Sequence, residues 1–311
     1  EEEGGGTVLR RYLGEHGATL DTDCLLIWDG GFDFDGSAVL TTGLRGILYT
    51  EIHARGARAD LHSGVFGGAA PNAANTLAHV LAALKDRDGR VTIPGFYDDV
   101  REATPQELEE WSSWPQLEGA LNFAVGARAL EGEAGRSLAE RVQTRPTLDV
   151  NGIWGGFTDA GEKTVIPAEA TAKVSMRLVP DQEPDRIFEA LAAYAPTLST
   201  PGVEIEVRRL SAGAPPVVLG SDSAAMRAAR QALETAFETT SRLTRAGYSI
   251  PVVIDFQRHV DAPIVSSGFA QFDCNVHSPD ENLVLDHFGR GVEMMIRFFW
   301  EYGKEVLWTR S

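Results

Sequence analysis

The sequence predicts an α/β protein in which one α/β domain is split along the chain and an α+β domain is inserted between Gly46 and Leu210. Three observations carry that expectation. Cys24-Leu25-Leu26-Ile27-Trp28 is a continuous apolar run of strand length, the pattern of a strand buried on both faces. Residues 170–178 instead alternate, with Ala170, Ala172, Val174, Met176 and Leu178 on one face and Thr171, Lys173, Ser175 and Arg177 on the other. That is a half-buried strand of an antiparallel sheet. After Ser211-Ala212-Gly213-Ala214-Pro215-Pro216 the chain returns to amphipathic helices flanking short apolar runs, which is α/β again.

The elements follow in order. Residues 7–13 read as a short helix, and the apolar run 24–28 ends at Asp29-Gly30-Gly31. Residues 47–54 form a second strand. Residues 71–84 form a helix whose stripe is Ala74, Leu77, Ala78, Leu81 and Leu84. A strand near 153–157, the alternating strand, a helix over 183–195 with Ile187, Phe188 and Leu191 inward, and a strand over 203–207 complete the order βαββαβ. That order is a ferredoxin-like unit. A helical, partly acidic insertion, 104–145, interrupts it and is expected to extend that domain's surface. Beyond residue 216, helices over 222–237 and 286–302 flank short strands at 251–254 and 263–265.

Bulk properties narrow the function. The 311 residues suffice for two domains with real cores. A net charge of -17 disfavours nucleic acid or an anionic membrane as partner, because both need a basic face, and is compatible with a cation site. Cys24 and Cys274 lie far apart and form no CxxC pattern. Cys24, inside an apolar run, reads as a buried thiol, and a reduced, cytoplasmic chain is expected. No apolar run approaches the roughly 20 residues of a membrane span. There is no Walker loop, GxGxxG, HExxH or GxSxG, so nucleotide binding, zincin-type proteolysis and α/β-hydrolase chemistry lose their usual signatures.

What remains is a dispersed set of polar residues. Glu1-Glu2-Glu3-Gly4-Gly5-Gly6 opens the chain, and on its own a terminal run of Glu is solvated charge. Set beside Asp29 and His277, it joins hard oxygen donors to an imidazole, a combination zinc and manganese prefer. Two neighbouring carboxylates can also divide labour, one holding a metal while the other takes a proton from metal-bound water. Asp29 follows a strand, and ligands gather at the carboxyl ends of strands in open α/β sheets. Read alone, it is a turn residue before two glycines. His277 lies in the polar loop Asn275-Val276-His277-Ser278-Pro279-Asp280-Glu281-Asn282, whose groups can fix an imidazole tautomer. His62 lies in Asp60-Leu61-His62-Ser63-Gly64-Val65-Phe66-Gly67-Gly68, where glycines let the backbone come close to another group. Arg177 sits on the polar face of its strand. Arg245 opens Arg245-Ala246-Gly247-Tyr248-Ser249-Ile250-Pro251. A guanidinium fork suits a substrate carboxylate, and a surface ion pair is the plainer reading of either Arg taken alone.

Together these stretches resemble the M20 family of metallopeptidases, in the dipeptidase branch that includes carnosinase-like enzymes. The resemblance rests on Glu-Glu-x-Gly at Glu2 to Gly5, Thr42-Gly43-Leu44-Arg45-Gly46, the His62 segment, Thr92-Ile93-Pro94-Gly95-Phe96-Tyr97, Lys163-Thr164-Val165-Ile166-Pro167, Arg177-Leu178-Val179-Pro180, Ser249-Ile250-Pro251 and His277-Ser278-Pro279. These occur in family order over nearly the whole chain, and are specific as a set though weak singly.

The resemblance implies a split, zinc-peptidase-like α/β catalytic domain (1–45 and 211–311) with an inserted ferredoxin-like α+β dimerisation domain (46–210). It implies two divalent metal ions, zinc first, with manganese or cobalt as alternatives. By matching positions, Glu2 is the general base and Glu3 a metal ligand, while Asp29 binds the first metal and His277 the second. His62 reaches the partner subunit's site and stabilises the oxyanion, and Thr164 assists from the same domain. Arg177 and Ser249 contact the substrate, with Arg245 a weaker contact. Metal-bound water has a pKa near about 7, so a carboxylate beside it generates hydroxide at neutral pH. An isologous homodimer follows from the same resemblance. The family's His-x-Asp motif and bridging Asp stand upstream of the Glu-Glu pair, so a chain starting at Glu1 is expected to be a truncated form lacking them, to bind metal weakly and to have negligible activity by itself. Tyr248 stands where the family usually has glycine, which narrows the pocket near Arg245.

The reaction expected is metal-dependent hydrolysis of the amide bond of dipeptides or short peptides. The alternatives are a succinyl- or acetyl-amino acid deacylase of the same family, and a non-catalytic dimerisation or peptide-binding fragment.

Overall fold

The structure, a computed structural model, describes residues 7–33, 35–112, 118–119, 121–122, 125–276 and 278–309. In chain order the elements are α1 (Thr7–His16), β1 (Leu25–Gly31), β2 (Ala38–Leu44), β3 (Gly46–Arg55), β4 (Leu61–His62), α2 (Ser63–Phe66), α3 (Ala73–Ala83), α4 (Pro105–Ser112) and α5 (Leu138–Gln143). They continue with β5 (Thr147–Gly155), β6 (Val165–Ile166), β7 (Glu169–Leu178), α6 (Pro184–Tyr194), β8 (Glu204–Arg209), β9 (Val217–Val218), α7 (Ala224–Phe237), β10 (Ser241–Ala246), α8 (Pro251–His259), β11 (Ile264–Ala270) and α9 (Leu285–Thr309). Two compact units result. One comprises Glu1–Leu44, Thr104–Leu130 and Val217–Ser311, the other Arg45–Ala103 and Glu131–Pro216.

The first unit is built on a mixed five-stranded sheet in the order β1-β11-β2-β10, with β9 paired to β2. β1 runs parallel to β11 and β10 parallel to β2, while β11 and β2 are antiparallel. Helices α7 and α9 pack with this sheet around Leu40, Met226, Leu233, Val265, Met294 and Phe298. α7 meets its neighbours through Ala225, Ala228, Ala229, Ala232 and Ala236, all buried, and small side chains allow close approach. Its start is fixed by Ser223, whose Oγ accepts from the Met226 N–H at 3.1 Å. α9 is apolar on its outer side as well, with Leu285, Ile296, Phe299 and Trp300 exposed.

Several expectations are corrected here. The run 24–28 becomes β1, but β1 is the outermost strand of its sheet and only partly buried, so it is not covered on both faces. Cys24 is likewise only partly buried. Residues 251–254 are the first turn of helix α8 and not a strand. Pro251 sits at the helix start, where its missing N–H costs nothing, and the buried Val253 and Ile254 join a core with Leu44, Val217 and Ile264. β2 and β10, neither expected, supply the middle and far side of the sheet.

The second unit carries a four-stranded, fully antiparallel sheet in the order β5-β7-β3-β8. With α3 between β3 and β5 and α6 between β7 and β8, this is the ferredoxin-like βαββαβ order. β3 and β7 pair without a break from Gly46↔Leu178 to Arg55↔Glu169. Leu48 and Ile52 of β3 and Val174 and Met176 of β7 meet Leu77, Val80, Ile187 and Leu191 of the two helices. The strand expected near 153–157 lies earlier, at β5, and tolerates a register shift between Val150 and Gly152.

The insertion 104–145 divides instead of extending one surface. Its first part belongs with the first unit: Glu107 Oε1 takes an ion pair from Arg245 Nη2 at 2.6 Å, and Glu110 Oε1 accepts from the Leu243 N–H at 3.0 Å. Its second part stays with the ferredoxin-like unit, where buried Glu133 accepts from Arg145 Nε at 2.7 Å and Arg90 Nη1 at 2.7 Å.

Candidate functional site

Asp29 is inside β1 and not beyond its end. The register runs Trp28↔Ser267 and then Gly30↔Gly268, so Asp29 is the extra residue of a β-bulge. A bulge re-aims the side chain at its apex, and Asp29 is exposed. The bulge brings two backbones so close that only glycine serves: a Cβ on Gly268 would lie 1.7 Å from the Gly30 carbonyl oxygen.

Tyr248 reaches the same place from the loop after β10. A Cβ on Gly30 would stand 3.2 Å from its Oη, so the absent side chain at position 30 makes room for the phenol. The hydroxyl shares a hydrogen bond with Thr41, itself buried in β2. Burial pushes the phenol's pKa up, the Thr41 bond opposes this, and the Asp29 carboxylate adds to the rise. The tyrosine is therefore neutral at physiological pH and within charge range of Asp29. Ser249 is half-buried beside it, two residues before Pro251 opens α8.

Arg245 is engaged elsewhere. The residue is 9% exposed and forms the Glu107 ion pair, so the guanidinium ties β10 to α4.

In the second unit, His62 and Thr164 are brought together. β4 and β6 form a two-stranded antiparallel ladder, Leu61↔Ile166 and His62↔Val165, and the Ser63 N–H donates to the Thr164 carbonyl at 3.0 Å. The Gly64 N–H donates to His62 Nδ1 at 3.0 Å. With Nδ1 accepting, the proton of the neutral ring resides on Nε2, and that N–H is the donor the ring presents. Both His62 and Thr164 are exposed. Asp60 anchors the segment by accepting from the Ala168 N–H at 2.9 Å.

Arg177, half-buried on β7, has a second guanidinium for a neighbour. Arg45 is 8% exposed and its pKa falls to about 10, through burial first and the Arg177 charge second, with Asp149 opposing. Two like charges held close raise the local positive potential and favour an anion. Arg45 was given no role from sequence. Its only signal was its place within Thr42-Gly43-Leu44-Arg45-Gly46.

Glu2, Glu3 and His277 lie outside the described residues. Among the described residues no group of three or more His, Cys, Asp or Glu is placed to hold a metal ion. Asp29 is one of the expected donors, and the described residues do not compose a metal centre by themselves. No described helix is long and apolar enough to cross a membrane.

Comparison with known proteins agrees with this architecture. A peptidase dimerisation domain of the M20 family matches residues 42–202, more than half the chain. The chain belongs to the M20 peptidase family. Several of its curated relatives are dipeptidases. A Cys-Gly metallodipeptidase of Candida albicans is 32% identical over 86% of this chain and 55% of its own length. A human Beta-Ala-His dipeptidase is 27% identical over 90% of this chain and 55% of its own. Among solved structures, the dipeptidase Dug1p of Saccharomyces cerevisiae superposes with a TM-score of 0.84 at 26% identity, covering 97% of this chain and 64% of that one. An M20 metallo-carboxypeptidase of Sulfolobus solfataricus gives 0.83 at 30% identity, covering 97% and 68%. The chain thus spans little more than half the length of the two curated relatives described.

Proposed function

We propose that this chain serves the metal-dependent hydrolysis of the amide bond of dipeptides or short peptides. The observation that carries the reading is the His62–Thr164 pairing, in which Nδ1 is occupied and Nε2–H is presented. Such a donor stabilises the oxyanion that forms when water adds to a peptide carbonyl. Membership of the M20 family, together with likeness to a Cys-Gly metallodipeptidase and a Beta-Ala-His dipeptidase, supports the same reading.

Within it, Arg177 binds the substrate's terminal carboxylate, reinforced by the charge of Arg45. Ser249 contacts the substrate backbone. Asp29, with Glu3 and His277, contributes to a centre of two divalent ions, zinc in the first instance, and Glu2 is the general base. The functional unit is a homodimer formed through the ferredoxin-like domain, in which His62 and Thr164 of one protomer serve the other's site. The strand β5 supports this, since it borders its sheet and exposes Val150, Ile153 and Trp154. The compartment proposed is the cytoplasm.

The test is turnover, by zinc-loaded protein that carries the upstream His-x-Asp and bridging Asp, of Cys-Gly and β-Ala-His against N-succinyl and N-acetyl amino acids. Dipeptide hydrolysis is expected, with His62→Ala lowering kcat by roughly 10²-fold or more and Arg177→Ala acting chiefly on KM. Cleavage of the acyl amino acids alone would transfer the reading to a deacylase.

A further inference from the structure

We propose that Tyr248 sets substrate selectivity: its ring, pinned at the hydroxyl end, walls the substrate space beside Asp29 and admits small side chains there. This rests on the dipeptidase reading above. Three features place the ring. Its hydroxyl is bonded to Thr41, a residue only 1% exposed in the middle strand of the sheet. The same oxygen stands 3.2 Å from where a Gly30 Cβ would be, one residue from Asp29. The residue as a whole is nonetheless 44% exposed, and it directly precedes Ser249 in the chain.

These features define a barrier more than a mobile flap. A tyrosine on a surface loop ordinarily turns aside when a ligand arrives, because its ring and hydroxyl are both in solvent. Here the far end is tethered beneath, and Gly30 leaves a recess that fits the hydroxyl. Swinging the ring away breaks the Thr41 bond and leaves a buried hydroxyl without that partner. A dipeptide whose side chain fits beside the ring meets no such penalty, while a bulky one must displace it. Glycine at this position would leave the space open.

The experiment compares kcat/KM of zinc-loaded protein that carries the upstream metal ligands for Ala-Ala, Phe-Ala and Ala-Phe in wild type, Tyr248→Phe and Tyr248→Gly. The measured quantity is the ratio of a bulky to a small substrate within each protein, which does not depend on how much of a variant folds. Tyr248→Gly is expected to raise that ratio by about tenfold or more for at least one phenylalanine dipeptide. Tyr248→Phe keeps the ring and frees its end, so it should raise the same ratio by a smaller factor. Ratios unchanged within twofold in Tyr248→Gly would overturn the assignment of Tyr248 while leaving the dipeptidase reading intact. Absence of turnover of all three dipeptides, together with Cys-Gly and β-Ala-His, by wild type would sink that reading and this inference with it.

Discussion

A methyl group added at Gly268 would lie 1.7 Å from the Gly30 carbonyl oxygen, and that oxygen is backbone, with no flexible end to move. The two strands must separate or the bulge that presents Asp29 must be lost. Gly268→Ala is therefore expected to destabilise the fold by about 3 kcal/mol, as overpacking in a tight core does. The contrast is Gly14, inside α1, where an added Cβ meets nothing within 4 Å. Gly14→Ala should stabilise by roughly 0.5–1 kcal/mol, through helix propensity and a less flexible unfolded chain. Urea unfolding of both variants measures the difference. Equal midpoints would show that the bulge is not held as described.

At the scale of elements, charged side chains do joining work that apolar contacts leave undone. Glu234, near the end of α7, accepts from the Ser241 N–H at 3.0 Å, Ser241 Oγ at 2.8 Å and Arg230 Nε at 3.2 Å. Partial burial pushes its pKa up, but the two Ser241 bonds and the Arg230 guanidinium outweigh it and hold the carboxyl below the usual value. The unfolded chain thus takes up this proton at a higher pH than the folded one. The stabilisation is present above pH 4.5, the ordinary value, and is lost as the pH falls through the folded value. Urea midpoints measured from pH 7 to pH 3 should fall more steeply for wild type than for Glu234→Gln. Parallel curves would remove Glu234 as the link between α7 and β10.

For the whole molecule, the question is what the ferredoxin-like unit does with its outer strand. β5 exposes Val150, Ile153 and Trp154 at 42%, 64% and 45%, apolar side chains on both faces of a strand at a sheet border. Natural edges are usually protected by charge, proline or cover. The proposed dimer covers this one. Ile153→Lys combined with Trp154→Glu should convert a dimer to a monomer by sedimentation at micromolar concentration, with the far-UV circular dichroism unchanged. A wild-type monomer under those conditions would overturn the dimer proposal.

The sequence by itself determined the elements whose reasons are local. The alternation of residues 170–178 is β7, the stripe of Leu77, Leu81 and Leu84 belongs to α3 and the turn that follows it, and the order βαββαβ follows from the strand and helix periods. The pairing of β4 with β6, which joins His62 to Thr164, was legible only as two separate polar segments, because they lie about a hundred residues apart. Tertiary structure alone decided the rest. Ser241-Arg242-Leu243-Thr244-Arg245-Ala246 has no apolar alternation, yet it is a strand, because it ladders in parallel with β2, and its arginines are accommodated by Asp35 at 2.7 Å from Arg242 and Glu107 at 2.6 Å from Arg245. Those partners come from distant parts of the chain, and no local pattern announces them. The same cause gave Arg245 its ion pair with Glu107. It placed Asp29 on a bulge and seated the Tyr248 hydroxyl against Thr41 and Gly30. Periodicity is a property of neighbours in sequence, whereas desolvated charges and close backbone approaches are properties of neighbours in space.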